Sequence, residues 1–181
     1  MNEELKLAHQ RVMEFTFNCD NKASFLGAII GIFIGGMVSA DPFWTVVKDL
    51  GESAKLFWTN QPHVFDWESF CVGASLFICV LSLVTAIILI LAVLLPRLGK
   101  KSTDSLIYFG SIGETDKDEY KRKVEASDDA SMQKDYINQV HMCSEICRKK
   151  FRIYMHAVRW TIMAISAFVL FLLFVIIFKI W

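Results

Sequence analysis

Apolar and charged positions separate along this chain into a few long blocks. Three runs carry no charged side chain: Ser24 to Ala40, Phe70 to Leu95 and Trp160 to Phe178. At ~1.5 Å of rise per helical residue, the second and third can each cross a ~30 Å hydrocarbon core. The first is shorter and calls for a little flanking helix or a locally thinned bilayer. The predicted fold class is an all-α integral membrane protein with three transmembrane helices. Between the second and third runs lies a polar block, Arg97 to Arg159, tethered to the bilayer at both ends. The expected organisation is a cytoplasmic amphipathic helix over 1–22, a first transmembrane helix over 23–40 and an outer aromatic-rich loop over 41–69. A second transmembrane helix follows over 70–95, then a cytoplasmic helical sensor segment over 96–159, and a third transmembrane helix over 160–178.

The N-terminal segment reads as helix. Leu5, Ala8, Val12, Phe15 and Cys19 recur at steps of three and four and predict one apolar stripe. Asn2 is a suitable N-cap, with Glu3 and Glu4 in the first turn where the helix dipole favours acids. The polar face, His9, Arg11, Asp20 and Lys22, belongs either to a surface-packed helix or to a ligand site. In the first span, Ala23, Gly27, Gly31, Gly35 and Ser39 fall every four residues and predict a small-residue packing seam, used within the chain or between copies. Asp41-Pro42 ends that span. Gln61-Pro62 signals a turn, and the tryptophans of residues 41–69 fit a headgroup belt. A short interfacial helix is expected near Ser53 to Thr59. In span two, Ser75 and Ser82 are expected to bond back to their own helix, and Pro96-Arg97 to stop it.

In the polar block, Leu106-Ile107-Tyr108-Phe109-Gly110 is a short apolar segment expected to pack on neighbouring helices. Thr115 with Asp118 three residues later suggests a cap for a helix to about Ala126, and Ser127-Asp128-Asp129 breaks and recaps. From Ser131 onward no Gly or Pro occurs. Met132, Tyr136, Val140, Cys143, Cys147, Tyr154 and Val158 form a stripe leading into span three. One continuous helix is predicted, able to carry motion from its polar half to its apolar half.

Charge sets the orientation. The 181 residues carry 19 Lys and Arg against 19 Asp and Glu, so net charge favours no partner. Lys6, Arg11 and Lys22 precede span one; Arg97, Lys100 and Lys101 follow span two; Arg148, Lys149, Lys150, Arg152 and Arg159 precede span three. The positive-inside rule then places the N-terminus and residues 97–159 in the cytoplasm, with 41–69 and Lys179-Ile180-Trp181 outside. Cys19, Cys143 and Cys147 face a reducing compartment, Cys79 lies in lipid and Cys71 nears the outer surface, so no disulfide framework is implied. His141, Cys143 and Cys147 lack a fourth ligand and imply no metal site; His156 and His63 read as interfacial. No phosphate loop, dinucleotide fingerprint, nucleophile elbow or metalloprotease motif occurs, so no enzyme is indicated. Asp, Glu, Lys, Arg and His are absent from all three runs, which argues against a transporter or proton pump.

The basic run before span three suits either anionic lipid or a phosphate site shared with Arg11 or Lys22. A nucleotide would add an aromatic face, from Tyr108, Tyr120 or Tyr136, and an amide such as Gln139. These residues carry a resemblance. His9-x-Arg11-Val12, Phe15 and Asp20-x-Lys22-Ala23 resemble the Pycsar transmembrane effector (PycTM-like) family of bacterial anti-phage defence. So do Leu106-Ile107-Tyr108-Phe109-Gly110, Tyr120, and the series Gln139, Ser144, Ile146, Lys150 and Tyr154. The resemblance implies an inner-membrane effector that binds a cyclic pyrimidine mononucleotide, cyclic UMP or cyclic CMP, made by a neighbouring pyrimidine cyclase. It then impairs the membrane and stops the infected cell. The expected nucleotide-binding residues are Arg11, Lys22, Tyr108, Gln139, Lys149 and Lys150; the expected seam is Gly27, Gly31 and Gly35. The expected partners are the lipid bilayer, the cyclic mononucleotide and further copies of the chain, with no nucleic acid polymer, cofactor or metal. The rival readings are a nucleotide-independent membrane scaffold and a holin-like pore-forming toxin.

Overall fold

The computed structural model describes residues 3–58, 67–95 and 105–178. The Asn2 cap, the Gln61-Pro62 turn, His63, the Pro96-Arg97 stop, Lys100, Lys101 and the terminal Lys179-Ile180-Trp181 lie outside them. The described residues form helices α1 (Glu3–Val38), α2 (Asp41–Trp58), α3 (Trp67–Leu94), α4 (Phe109–Glu114), α5 (Lys117–Ala126) and α6 (Asp129–Ile177). Three of them, α1, α3 and α6, are long and apolar enough to cross a membrane. The expected uninterrupted passage of α6 from polar to apolar sequence is present, and α1 makes the same passage. With no Gly or Pro after Ser131, nothing local interrupts the 49 residues of α6. The chain divides into two compact units, residues 1–23 with 93–154, and residues 24–92 with 155–181.

The second unit is the apolar one. The inward line of α3 runs Val72, Leu76, Cys79, Leu83, Ala86 and Ile90, all buried. Its steps alternate between four and three, the 3.5-residue period of a left-handed helix bundle. On α6 the same alternation gives Ala157, Thr161, Ala164, Phe168 and Phe171, of which all but the half-buried Phe168 are buried. Alanines at these sites let the helix backbones approach closely, the packing mode that works where lipid removes the hydrophobic drive. Val46 of α2 joins Val72, Leu76, Phe171 and Val175 in one core cluster, and Phe33 of α1 meets Phe168 edge-on at 5.0 Å. The outward faces carry Phe25, Ile32, Phe77, Leu91, Ile162 and Ile176, all exposed. A surface of that composition fits hydrocarbon as its solvent. The hydroxyls behave as expected for lipid, with Ser75 donating to the Val72 carbonyl, Thr85 to Leu81 and Thr161 to Ala157. Ser82 departs from the expectation: its hydroxyl is buried with no partner among the described residues.

The small residues of span one do not share one environment. A Cβ at Gly27 would lie 3.7 Å from Ile90, whereas at Gly31 or Gly35 it would meet nothing within 4 Å. Steps of four on a 3.6-residue helix rotate by about 40° each, so such a series winds off the buried face within two turns. The buried line on α1 instead includes Ile30 and Met37.

Asp41-Pro42 also does more than end a span. It opens α2, which begins well before the interfacial helix expected at Ser53. Proline at a helix start loses no hydrogen bond, and its fixed φ suits the first turn. Trp44 then donates its indole N–H to the Val38 carbonyl at 2.8 Å, satisfying a group at the end of α1.

In the first unit, α5 is capped by Asp116, whose carboxylate accepts from the Asp118 amide. Thr115, expected as that cap, is the C-cap of α4 and donates its hydroxyl to the Ser111 carbonyl. Asp128 accepts from the Ser131 amide at the start of α6, the recapping expected there.

Candidate functional site

Within the first unit α1 and α6 run parallel. His9 meets Tyr136 edge-on at 5.4 Å, and eleven residues along α1 Asp20 meets Lys150. The inner line of α1 is Leu5, His9, Val12, Thr16 and Cys19; that of α6 is Tyr136, Gln139, Cys143, Ile146 and Lys150. Both alternate steps of four and three. Phe15, expected on the inner stripe of α1, is exposed, and Thr16 takes its place. A heptad-like period selects the neighbour one residue on.

A third wall comes from the segment before α4. Asp135 of α6 accepts from the Ser105 hydroxyl at 3.0 Å and the Leu106 amide at 2.8 Å. Ser105 Oγ in turn accepts from the Ile107 and Tyr108 amides. Tyr120 of α5 donates its hydroxyl to the Leu106 carbonyl at 3.0 Å. These bonds pin residues 105–108 against α6, with Tyr108 buried and Phe109 exposed. Gly110 is needed because a Cβ there would sit 2.5 Å from Tyr108 Cε1.

The three walls line a half-open cavity of about 350 Å³, within the range of small-molecule sites. Its lining includes His9, Met13 and Thr16 from α1, Ile107, Tyr108 and Phe109 from the pinned segment, and Gln139, Cys143, Ile146 and Lys150 from α6. The walls are largely apolar and aromatic. Gln139 offers an amide with both donor and acceptor, held among the described residues by a 3.6 Å contact to Cys143 Sγ. Burial pushes the Cys143 thiol above its ordinary range, partly offset by that contact. Burial also raises Cys19, with the Asp20 carboxylate adding to the effect.

The cation is the distinctive group. Lys150 Nζ lies 2.7 and 2.8 Å from the two carboxylate oxygens of Asp20. The lysine side chain is 8% exposed and the aspartate 33%. An ammonium buried in an apolar site must keep a counter-anion. The arrangement therefore suits a ligand with a flat ring for the aromatic wall and an anionic group for Lys150.

Of the residues expected from sequence, Tyr108, Gln139 and Lys150 converge on this cavity. Arg11, Lys22 and Lys149 are exposed and do not line it. Lys149 and Lys150 read as one basic run, yet adjacent helical residues point about 100° apart. Only Lys150 falls on the inner line. Tyr120 holds the Leu106 carbonyl and Tyr136 packs on His9. Asp20 was visible as a polar-face residue without a partner, and Asp135 carried no sequence signal. Thr16 and Cys143 become lining residues only once the inner period is known, and Met13, one step off that line, only once the cavity is seen.

No solved structure matches the chain significantly. The chain is similar to the Pycsar effector protein GmPycTM of Gulbenkiania mobilis, at 28% identity covering 94% of this chain and 96% of that protein. The model of the Pycsar effector protein domain, PycTM, matches residues 4–178. That span includes α1 through α6 nearly whole, the cavity and all three apolar helices, and the chain belongs to the PycTM family of Pycsar effectors.

Proposed function

We propose that this chain is the membrane effector of a cyclic-nucleotide anti-phage defence system. It binds a cyclic pyrimidine mononucleotide, cyclic UMP or cyclic CMP, supplied by a neighbouring cyclase. It then impairs the inner membrane so that the infected cell stops. Membership of a Pycsar effector family supports the role, and three membrane-length helices support the place of action. The observation that carries the binding step is the buried ammonium of Lys150 on an aromatic-lined cavity. In this reading Lys150 takes the cyclic phosphate, Tyr108 and Phe109 face the base, and Gln139 meets the pyrimidine edge. The N-terminus and residues 97–159 face the cytoplasm, where the nucleotide is made.

The physical demand on such a switch is differential binding. Moving a 1:99 equilibrium to 99:1 needs about 5.5 kcal/mol more affinity for the active arrangement. Helices α1 and α6 carry both cavity residues and apolar residues, so a change of register between them at the cavity is continuous with the membrane-spanning sequence. Self-association through the open Gly31 and Gly35 face of α1 is the accompanying proposal for how the bilayer is breached.

Titration calorimetry of the full chain in detergent tests the binding step. One of cyclic UMP and cyclic CMP is expected to bind, cyclic AMP to bind far more weakly, and Lys150→Met to bind neither pyrimidine. Absence of binding by both pyrimidine nucleotides overturns the reading.

A further inference from the structure

Asp20 and Lys150 differ in how far they can move. Lys150 is nearly enclosed, whereas a third of the Asp20 side chain is open to solvent. The cavity wall includes Lys150 and, one turn earlier on each helix, Thr16 of α1 and Ile146 of α6. An anion entering the cavity therefore arrives beside Lys150, whose ammonium Asp20 already holds through both of its carboxylate oxygens. One ammonium between two anions leaves a net negative charge in a poorly solvated place. The partner able to leave at least cost is the one with an exit to water, which is Asp20.

We infer that the Asp20 carboxylate is a resident stand-in for the ligand's anionic group, and that ligand entry exchanges it off Lys150 and so releases α1 from α6. The inference rests on the nucleotide reading of the cavity and adds to it an autoinhibitory residue. In the resting chain the pair ties the two helices across 130 residues of sequence. Exchange swaps a bond between helices for a bond to ligand, which gives the ligand a differential affinity for the untied arrangement. It also reduces apparent affinity, because only the fraction with Lys150 unoccupied binds.

Calorimetry with the nucleotide that wild type binds is the test, using Asp20→Asn, which keeps the shape and removes the charge. Binding is expected to tighten by roughly tenfold or more, with Lys150→Gln binding none. Unchanged or weaker binding by Asp20→Asn, with wild type binding normally, overturns the exchange and leaves the nucleotide reading standing. Wild type binding neither cyclic UMP nor cyclic CMP overturns both. A second measurement uses wild type alone, so it survives a variant that fails to fold. A carbodiimide joins contacting carboxylate and amine as an amide, and peptide mass spectrometry reads the Asp20–Lys150 link. The link is expected without nucleotide and lost at saturating nucleotide; a link of equal yield in both overturns the exchange.

Discussion

The Lys150 ammonium lies within 2.8 Å of both carboxylate oxygens of Asp20, joining α1 to α6 beside the cavity. Deleting one partner of a fully buried pair costs about 3–5 kcal/mol, because the other charge is stranded. Asp20 is a third exposed, so solvent screening lowers that figure, and Asp20→Ala is expected to cost on the order of 2 kcal/mol. Combining it with Lys150→Met removes both charges and should recover most of the loss. Thermal unfolding in detergent checks this, with the double variant expected to melt above Asp20→Ala.

Gly110→Ala places a methyl against the Tyr108 ring at 2.5 Å. Tyr108 is buried, so the ring or the backbone of 108–110 must shift. The expected outcome is at least roughly tenfold weaker nucleotide binding, since a displacement of about 1 Å in a positioned wall is enough. Gly113→Ala, whose Cβ meets nothing within 4 Å, is the matched control and should bind as wild type.

Cys143 lines the cavity with its thiol raised by burial. A raised value means less thiolate at neutral pH, and thiolate is the species that alkylates. Maleimide labelling of Cys143 should thus be slow near neutrality and climb only above the ordinary thiol range. Saturating nucleotide should protect it, as read by peptide mass spectrometry; Cys71, in the other unit, should label equally with and without nucleotide.

Much of the fold was legible in the sequence because lipid imposes a coarse rule. Uncharged runs of span length must be helices, and nothing in the sequence breaks α1 or α6. What escaped was a matter of one residue. Thr16 against Phe15, and Lys150 against Lys149, differ by a single step. The choice is made by the 3.5-residue line that two helices share, which neither helix fixes alone. Thr115 stood in for the cap that Asp116 supplies, and the helix that Asp41-Pro42 opens was expected only from Ser53, for a related reason: capping residues cluster at these breaks, and only backbone geometry shows which one ends a helix and which begins the next. The Asp20–Lys150 and Asp135–Ser105 contacts join distant segments, so no local pattern announces them.

Gly31 and Gly35 separate packing inside the chain from packing between copies. Alanine at either meets open space and removes a flexible residue from a helix, worth about 0.5–1 kcal/mol of stability. Gly31→Ala with Gly35→Ala should therefore leave the thermal midpoint of the dispersed chain no lower, while Gly31→Leu with Gly35→Leu should lower the mass of the assembly in native mass spectrometry, if copies meet on that face. An unchanged oligomer places the contact elsewhere.

Dye release from liposomes reconstituted with the full chain tests the central claim most directly. The account predicts sealed vesicles before nucleotide, rapid leakage on adding cyclic UMP or cyclic CMP, and no leakage from Lys150→Gln vesicles given the same nucleotide. Leakage of equal extent with and without nucleotide, or none with either pyrimidine, would contradict it.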